Sequence, residues 1–263
     1  MANAQGDFIW YELMTSDIEG ARAFYGAVAG MEIGDTSDMP GQDYRMIRYG
    51  SDFVGGVLAI DADMAAGGMK PLWMGYIASR DVDATAEAIL AKGGHVFVPL
   101  RDIPGIGRFA MVADPQGAPF YIMHGFSDEA STVWQDGAVG HWGWNELWTP
   151  DPEAALGFYG DLFGYRQEGA MPMGPAGDYR FLMQGSARLG ALGPLDVIRA
   201  ENRVGASAFW RHYFRVPSIA KAVAALNTGG GTILDGPHEV PGGDVIIVAR
   251  DPQGAQFALV GGA

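Results

Sequence analysis

An α+β fold built from four βαβββ units, two in each half of the chain, is predicted by three observations. They are a long internal repeat, helices opened by an acidic residue and closed by glycine, and short apolar runs separated by turns. Residues 10–31 (WYELMTSDIEGARAFYGAVAGM) align with residues 144–165 (WNELWTPDPEAALGFYGDLFGY), and eleven of the 22 positions are identical. The offset of 134 (144 − 10) becomes 135 at Asp43-Tyr44-Arg45 against Asp178-Tyr179-Arg180. It is 137 at Asp114-Pro-Gln-Gly-Ala118 against Asp251-Pro-Gln-Gly-Ala255. The chain therefore reads as a tandem duplication with small insertions.

Taken in order, Phe8–Thr15 alternates as a strand. Asp17 then opens a helical pattern that stops at Gly30, with the acid as N-cap and the glycine as the left-handed closing residue. Tyr44–Tyr49 and Phe53–Ile60 follow as short β runs. The cycle restarts with a strand at Leu72–Ser79 and a helix opened by Asp81 and closed at Gly93-Gly94. Val96–Pro99, Phe109–Ala113 and Phe120–Met123 complete it. Second-half copies start near Trp142 and Ser207, with helix stops at Gly164 and Gly231. The polar segment GFSDEASTVWQDGAVG breaks the pattern, so the expected division is a domain over 1–124, a linker over 125–140 and a domain over 141–263. Many of the 40 glycines, about twice the usual share, fall at these turns.

Composition narrows the function classes. Of 263 residues, 48% are hydrophobic and 18% charged, enough apolar content for a real core. Seventeen basic against 31 acidic residues leave a net charge of −14, which disfavours nucleic acid and anionic membranes as partners. There is no cysteine, hence no disulfide, no thiolate nucleophile and no thiolate metal site. No run approaches the length of a membrane helix and no signal-peptide pattern opens the chain, so the expected location is cytoplasmic. A small molecule is the expected partner. Four units in one chain leave monomer or homodimer open.

A strand, an Asp-opened helix carrying Ala-x-x-Phe-Tyr, and Asp-Pro-x-Gly before the last strand together resemble the vicinal oxygen chelate superfamily. This is the glyoxalase, bleomycin-resistance and extradiol dioxygenase group. The matching residues are Asp17, Ala21, Phe24, Tyr25, Gly30 and Asp114-Pro-Gln-Gly117, repeated as Asp151, Ala155, Phe158, Tyr159, Gly164 and Asp251-Pro-Gln-Gly254. The resemblance covers nearly the whole chain. It implies two tandem glyoxalase-like domains, each a cupped mixed β-sheet with helices outside and a ligand on the concave face. It also implies a divalent metal held by His, Gln or Glu in the enzymatic members. Carried onto this sequence, the ligand positions fall on Trp10 and Trp144, near Met74 and Arg211, and on Tyr121 and Ala258. The remaining position falls in Val54–Val57 and Leu189–Leu192, which hold no acid or imidazole. Indole cannot ligate a metal. No metal residue and no cofactor is therefore predicted, and a divalent metal is disfavoured. A one-residue register slip, turning His212 inward in place of Arg211, is the route by which one could still bind.

Strand alternation places Phe8, Trp10, Glu12 and Met14 on one face, and Trp142, Trp144, Glu146 and Trp148 on its repeat equivalent. Glu12 and Glu146 are the catalytic candidates: an acid flanked by indoles in a cup can act as a general base. Their structural alternative is an ion pair with a neighbouring-strand arginine such as Arg45 or Arg108. Trp10, Trp144, Trp148, Met74, Arg211, Tyr121 and Tyr213 are the ligand-binding candidates. Trp73 and Trp210 read either as flat ligand walls or as core packing. Tyr44-Arg45 and Tyr179-Arg180 read as hairpin-edge residues or ligand contacts. His95, His124, His141 and His238 read as surface or packing residues. The leading functional expectation is a protein that binds a small aromatic or hydrophobic molecule in a Trp-lined cup and catalyses a metal-independent lyase or isomerase step. The alternatives are a metal-dependent lyase or dioxygenase using Glu12 or Glu146 with His212, and a resistance protein that sequesters a drug or metabolite without catalysis.

Overall fold

The computed structural model describes residues 3–37, 39, 41–205 and 207–263; Met1 and Ala2, the start of the expected first domain, lie outside the described residues. The first half runs β1 (Phe8–Thr15), α1 (Ile18–Ala29), β2 (Glu32–Ile33), β3 (Tyr44–Tyr49), β4 (Asp52–Ala59) and a short α2 (Ala62–Ala66). It continues with β5 (Leu72–Ala78), α3 (Val82–Ala91), β6 (His95–Ile103), β7 (Gly107–Ala113) and β8 (Pro119–Gly125). The second half repeats the plan: β9 (Trp142–Thr149), α4 (Pro152–Phe163), β10 (Arg166–Pro172), β11 (Asp178–Gln184) and β12 (Ala187–Pro194). After two 3-10 turns come β13 (Phe209–Val216), α5 (Ile219–Thr228), β14 (Thr232–Glu239), β15 (Val245–Arg250) and β16 (Gln256–Gly261). The short strand β2 and the helix α2 carry no periodicity that the sequence could show.

Two eight-stranded mixed sheets result, ordered β2-β3-β4-β1-β5-β8-β7-β6 and β10-β11-β12-β9-β13-β16-β15-β14. Hairpin neighbours pair antiparallel, while β1/β4, β5/β8, β9/β12 and β13/β16 pair parallel. The registers preserve the repeat: Glu12 faces Gly56 where Glu146 faces Ala191, and Tyr76 faces Tyr121 where Tyr213 faces Ala258. This is the expected α+β architecture of tandem βαβββ units.

The helix boundaries follow from local chemistry. Asp17, Asp81 and Asp151 each accept from the backbone N–H three residues on, and Ser218 does the same for α5. Caps of this kind contribute about 1 kcal/mol each. Gly30 and Gly164 close α1 and α4 in the left-handed region, as expected. At α3 the left-handed residue is the first of the expected pair, Gly93, and at α5 it is Gly230, one position before the expected Gly231. Gly94 and Gly231 instead donate back to Ile89 and Leu226, completing Schellman closures. Gly94 is required for a different reason, since a Cβ there would meet the Ala113 carbonyl oxygen at 2.5 Å.

The chain forms two compact units. One comprises residues up to Ile9, Gly75–Ser131 and Trp144–Arg211; the other comprises Trp10–Met74, Thr132–Gly143 and His212–Ala263. Within each unit, the tyrosine of Ala-x-x-Phe-Tyr from one half meets the aspartate of Asp-Pro-Gln-Gly from the other. In the first unit Trp210 Nε1 donates to Tyr159 Oη (3.0 Å), which donates to Asp114 Oδ2 (3.1 Å). In the second, Trp73 Nε1 donates to Tyr25 Oη (2.9 Å), which donates to Asp251 Oδ2 (2.9 Å). The other carboxylate oxygen of each aspartate accepts backbone N–H groups of its own turn, including Ala118 and Ala255. All six side chains are buried. Burial raises Asp114 and Asp251 above the ordinary aspartate value and pushes Tyr25 and Tyr159 well above the ordinary tyrosine value. The indoles of Trp73 and Trp210 therefore anchor the core rather than line an open wall.

Candidate functional site

The second repeat concentrates polar chemistry around Glu146, in the middle of β9. Its Oε1 accepts from Tyr179 Oη at 2.7 Å, and its Oε2 accepts from Trp148 Nε1 at 2.9 Å and from Arg211 Nη1 at 3.3 Å. Trp144 Nε1 in turn donates to Tyr179 Oη at 2.7 Å. Four residues from three strands, β9, β11 and β13, thus converge on one carboxylate, and three of them donate to it directly. Alternation accounts for the local part: Trp144, Glu146 and Trp148 share one face of β9.

Glu146 and Arg211 form a buried ion pair, their side chains 7% and 6% exposed. The guanidinium carbon lies 5.9 Å from the Trp148 ring centre and 5.4 Å from that of Phe209, within cation–π range. Arg211 Nη2 donates to the Asn202 carbonyl at 3.2 Å. Its Nε is buried and has no hydrogen-bond partner among the described residues. Around this group Trp148, Leu195 and Phe209 form an apolar cluster, and the half-buried Met173, Tyr179, Val197, Ile198 and Val204 pack against it. The expectation that Arg45 or Arg108 would neutralise a strand glutamate is not met. Arg45 binds Asp43 and Glu19 (2.9 and 2.6 Å), and Arg108 binds Asp83 and Asp102 (2.6 and 2.8 Å).

The first repeat keeps half of this arrangement. Trp10 Nε1 donates to Tyr44 Oη at 2.7 Å, and Glu12 is buried on β1. The Tyr44 hydroxyl lies so close over Gly56 that a Cβ there would collide with it. Met14 and Met74, both buried, stand where the second repeat has Trp148 and Arg211. A thioether cannot donate a hydrogen bond.

The remaining sequence candidates take separate places. Tyr121 is buried and stacks on Tyr76 with ring centres 4.1 Å apart. Tyr213 is buried in β13 at the register position opposite Ala258. Trp142 stacks on Tyr11 at 4.4 Å and donates to the Val54 carbonyl at 2.7 Å, so it belongs to the core of the second unit. His212 packs edge-on to Tyr11 at 5.0 Å, and burial lowers its pKa to about 3, leaving a neutral imidazole. The residue sequence reasoning missed is Phe209, together with the connector 195–204. The signal lies in Leu195, Val197 and Ile198, three aliphatic residues within four positions of a connector rich in charged and small residues.

The donor set does not fit a divalent cation. The positions that correspond to metal ligands in the family carry two indole N–H groups already hydrogen-bonded to tyrosines, and a guanidinium paired with Glu146. Among the described residues no three His, Asp or Glu side chains group as a metal site. Two open grooves, of about 670 and 640 Å³, lie elsewhere, both lined entirely by residues of the second unit. No helix among the described residues is long and apolar enough to cross a membrane.

Comparison with known proteins agrees with this architecture. The family model described as Glyoxalase/Bleomycin resistance protein/Dioxygenase superfamily matches residues 8–122 and 139–259. The Mycobacterium tuberculosis protein named "Putative glyoxylase CFP32" is 30% identical over 258 residues, covering 97% of this chain and 95% of its own. The anthracycline biosynthesis protein DauV of Streptomyces sp. strain C5 is 26% identical, covering 98% and 94%. In fold, the chain is similar to the Mn(II)-bound glyoxalase from Novosphingobium aromaticivorans, with a TM-score of 0.65 at 17% identity, covering 99% of this chain and 83% of that one. The repeated strand–helix units, one family match over each half and relatives aligned almost end to end lead to one conclusion: the chain belongs to the glyoxalase/bleomycin resistance protein/dioxygenase superfamily.

Proposed function

We propose that this glyoxalase-like protein binds a small, flat, apolar organic molecule at the second-repeat site built on Glu146 and Arg211, without a resident metal. The observation that carries this reading is the buried Glu146–Arg211 pair, whose guanidinium lies over the Trp148 and Phe209 rings with its Nε lacking a partner among the described residues. Aromatic walls favour planar ligands, and a few fixed polar groups orient them. The connector over residues 195–204 contributes half-buried aliphatic side chains that a ligand can displace at small cost compared with opening the sheet. A cationic ligand, which the net charge of −14 alone would suit, is disfavoured at this point by the Arg211 guanidinium.

Glu146 is the group able to accept a proton here, and Tyr179 bridges it to Trp144. A lyase or isomerase step at this site is therefore a proton shift carried by a side chain rather than activation by a metal. Titration of a naphthalene probe by calorimetry tests the reading. Trp148→Ala should weaken binding about tenfold through the lost ring contact, and exhaustive chelation should leave binding unchanged. Unaltered affinity in Trp148→Ala, or binding abolished by the chelator and restored by a divalent metal, would overturn it. For turnover, Glu146→Gln should retain the probe and lose the proton shift.

A further inference from the structure

Resting on the second-repeat site proposed above, we infer that Arg211 selects ligands bearing a neutral carbonyl-type acceptor on a planar aromatic frame, and rejects carboxylates. The geometry leaves one guanidinium nitrogen with no partner among the described residues. Arg211 Nη1 is committed to Glu146 and Nη2 to the Asn202 carbonyl, whereas Nε is buried with no partner among the described residues. A guanidinium has five N–H donors in a fixed fork, and a buried one left unmade costs free energy comparable to a lost hydrogen bond. A ligand oxygen placed against Nε removes that cost.

The charge state of that oxygen follows from Glu146. The carboxylate already balances the guanidinium, and both are more than nine-tenths buried. A neutral acceptor keeps the site at zero net charge. An anionic one leaves an uncompensated charge beside Glu146 in a poorly solvated cluster, which is strongly unfavourable. The overall charge of −14 opposes an anion in the same sense. The Trp148 and Phe209 rings that flank the guanidinium supply the flat apolar walls. In the first repeat Met74 stands in the place of Arg211 and offers no donor, so the selection belongs to the second repeat alone.

Calorimetric titration of the full chain with three matched probes tests this: 2-acetylnaphthalene, 2-ethylnaphthalene and 2-naphthoate. The first should bind about tenfold tighter than the second, the effect of one hydrogen bond to a charged donor, and 2-naphthoate should bind weakest. Arg211→Met should bring the acetyl and ethyl affinities together, and Arg211→Lys should restore part of the difference. The ranking in the unaltered protein is informative even if Arg211→Met folds poorly. Equal affinity for the acetyl and ethyl probes overturns the inference while the site itself stands. Tightest binding of 2-naphthoate also overturns it, by showing an anion site. Failure of all three to bind overturns both the inference and the site.

Discussion

The two repeats place the same glutamate, tryptophan and tyrosine at corresponding points of β1/β3 and β9/β11, yet surround the glutamate with different chemistry. Trp10–Tyr44 and Trp144–Tyr179 make the same hydrogen bond at the same 2.7 Å. Beyond it the first repeat has Met14 and Met74, and the second has Trp148 and Arg211. The connectors diverge in parallel. In the first repeat the chain between β4 and β5 forms α2, which buries no residue. In the second, the chain between β12 and β13 buries Leu195 and lays Val197, Ile198 and Val204 against Trp148. A duplicated frame is thus conserved in its backbone-setting contacts and free to vary in the donors around one carboxylate.

The largest effect that breaks this comparison is expected at the ion pair. Glu146→Leu leaves Arg211 buried without its counter-charge and should cost about 3–5 kcal/mol in urea unfolding. The double variant Glu146→Leu with Arg211→Met, which installs the methionine of the first repeat, should recover most of that loss. A loss below about 1 kcal/mol in the single variant would show that the pair is not a buried charge pair. Next come the connectors. Leu195→Ala should cost about 2–4 kcal/mol, the range for emptying a packed aliphatic site, whereas Met64→Ala in α2 should fall within about 0.5 kcal/mol. Similar losses at both positions would erase the distinction between the connectors.

The Trp–Tyr–Asp chains are the control, since they are equivalent in the two units. Tyr25→Phe and Tyr159→Phe should each cost about 1–3 kcal/mol by leaving an indole N–H and a carboxylate oxygen without a partner. Strongly unequal losses would mean that one chain has support the other lacks. The smallest effect is a slope with pH. His212 has its pKa lowered by burial from the ordinary 6.5 to about 3, so between those values the unfolded chain binds the proton and the native state does not. Its contribution is present above pH 6.5 and is lost as pH falls towards 3, at no more than about 1.4 kcal/mol per pH unit. Asp114 and Asp251, raised by burial, act in the opposite sense: they favour the folded state as pH falls through the range just above the ordinary aspartate value. Urea titrations of His212→Phe should therefore show a flatter acid limb than the parent, and those of Asp114→Asn a steeper one. An unchanged acid limb in His212→Phe would count against a neutral buried imidazole.

Much of the frame was legible because its signals are local. Asp17, Asp81 and Asp151 announce helix starts through a bond spanning three residues, and Gly30 and Gly164 announce stops through one left-handed residue. Where the local signal is a pair of glycines, the sequence does not say which of Gly93-Gly94 is left-handed, because either residue can adopt that conformation. The site was half legible. Period-two alternation puts Glu146 with Trp144 and Trp148, and the family's ligand positions, carried onto the chain, bring Arg211 to notice as a pocket residue. That Arg211 is also the partner of Glu146, 65 residues away in sequence, was not readable. Trp142 shows the limit of alternation, since it obeys the spacing and yet packs with Tyr11 in the core of the second unit.

By itself, then, the sequence determined the duplication, the element types, the helix caps and the presence of a glutamate on the central strand of each repeat. All of these depend on residues a few positions apart, or on identity between the halves. Tertiary structure alone decided that Tyr25 would meet Asp251 and Tyr159 meet Asp114, each across the two halves, and that Glu146 would be balanced by Arg211 where Glu12 has methionines at the equivalent places. The physical reason is that burial and long-range pairing arise only when distant strands and helices close on one another. The free energy of a buried charge depends on what that closure places beside it.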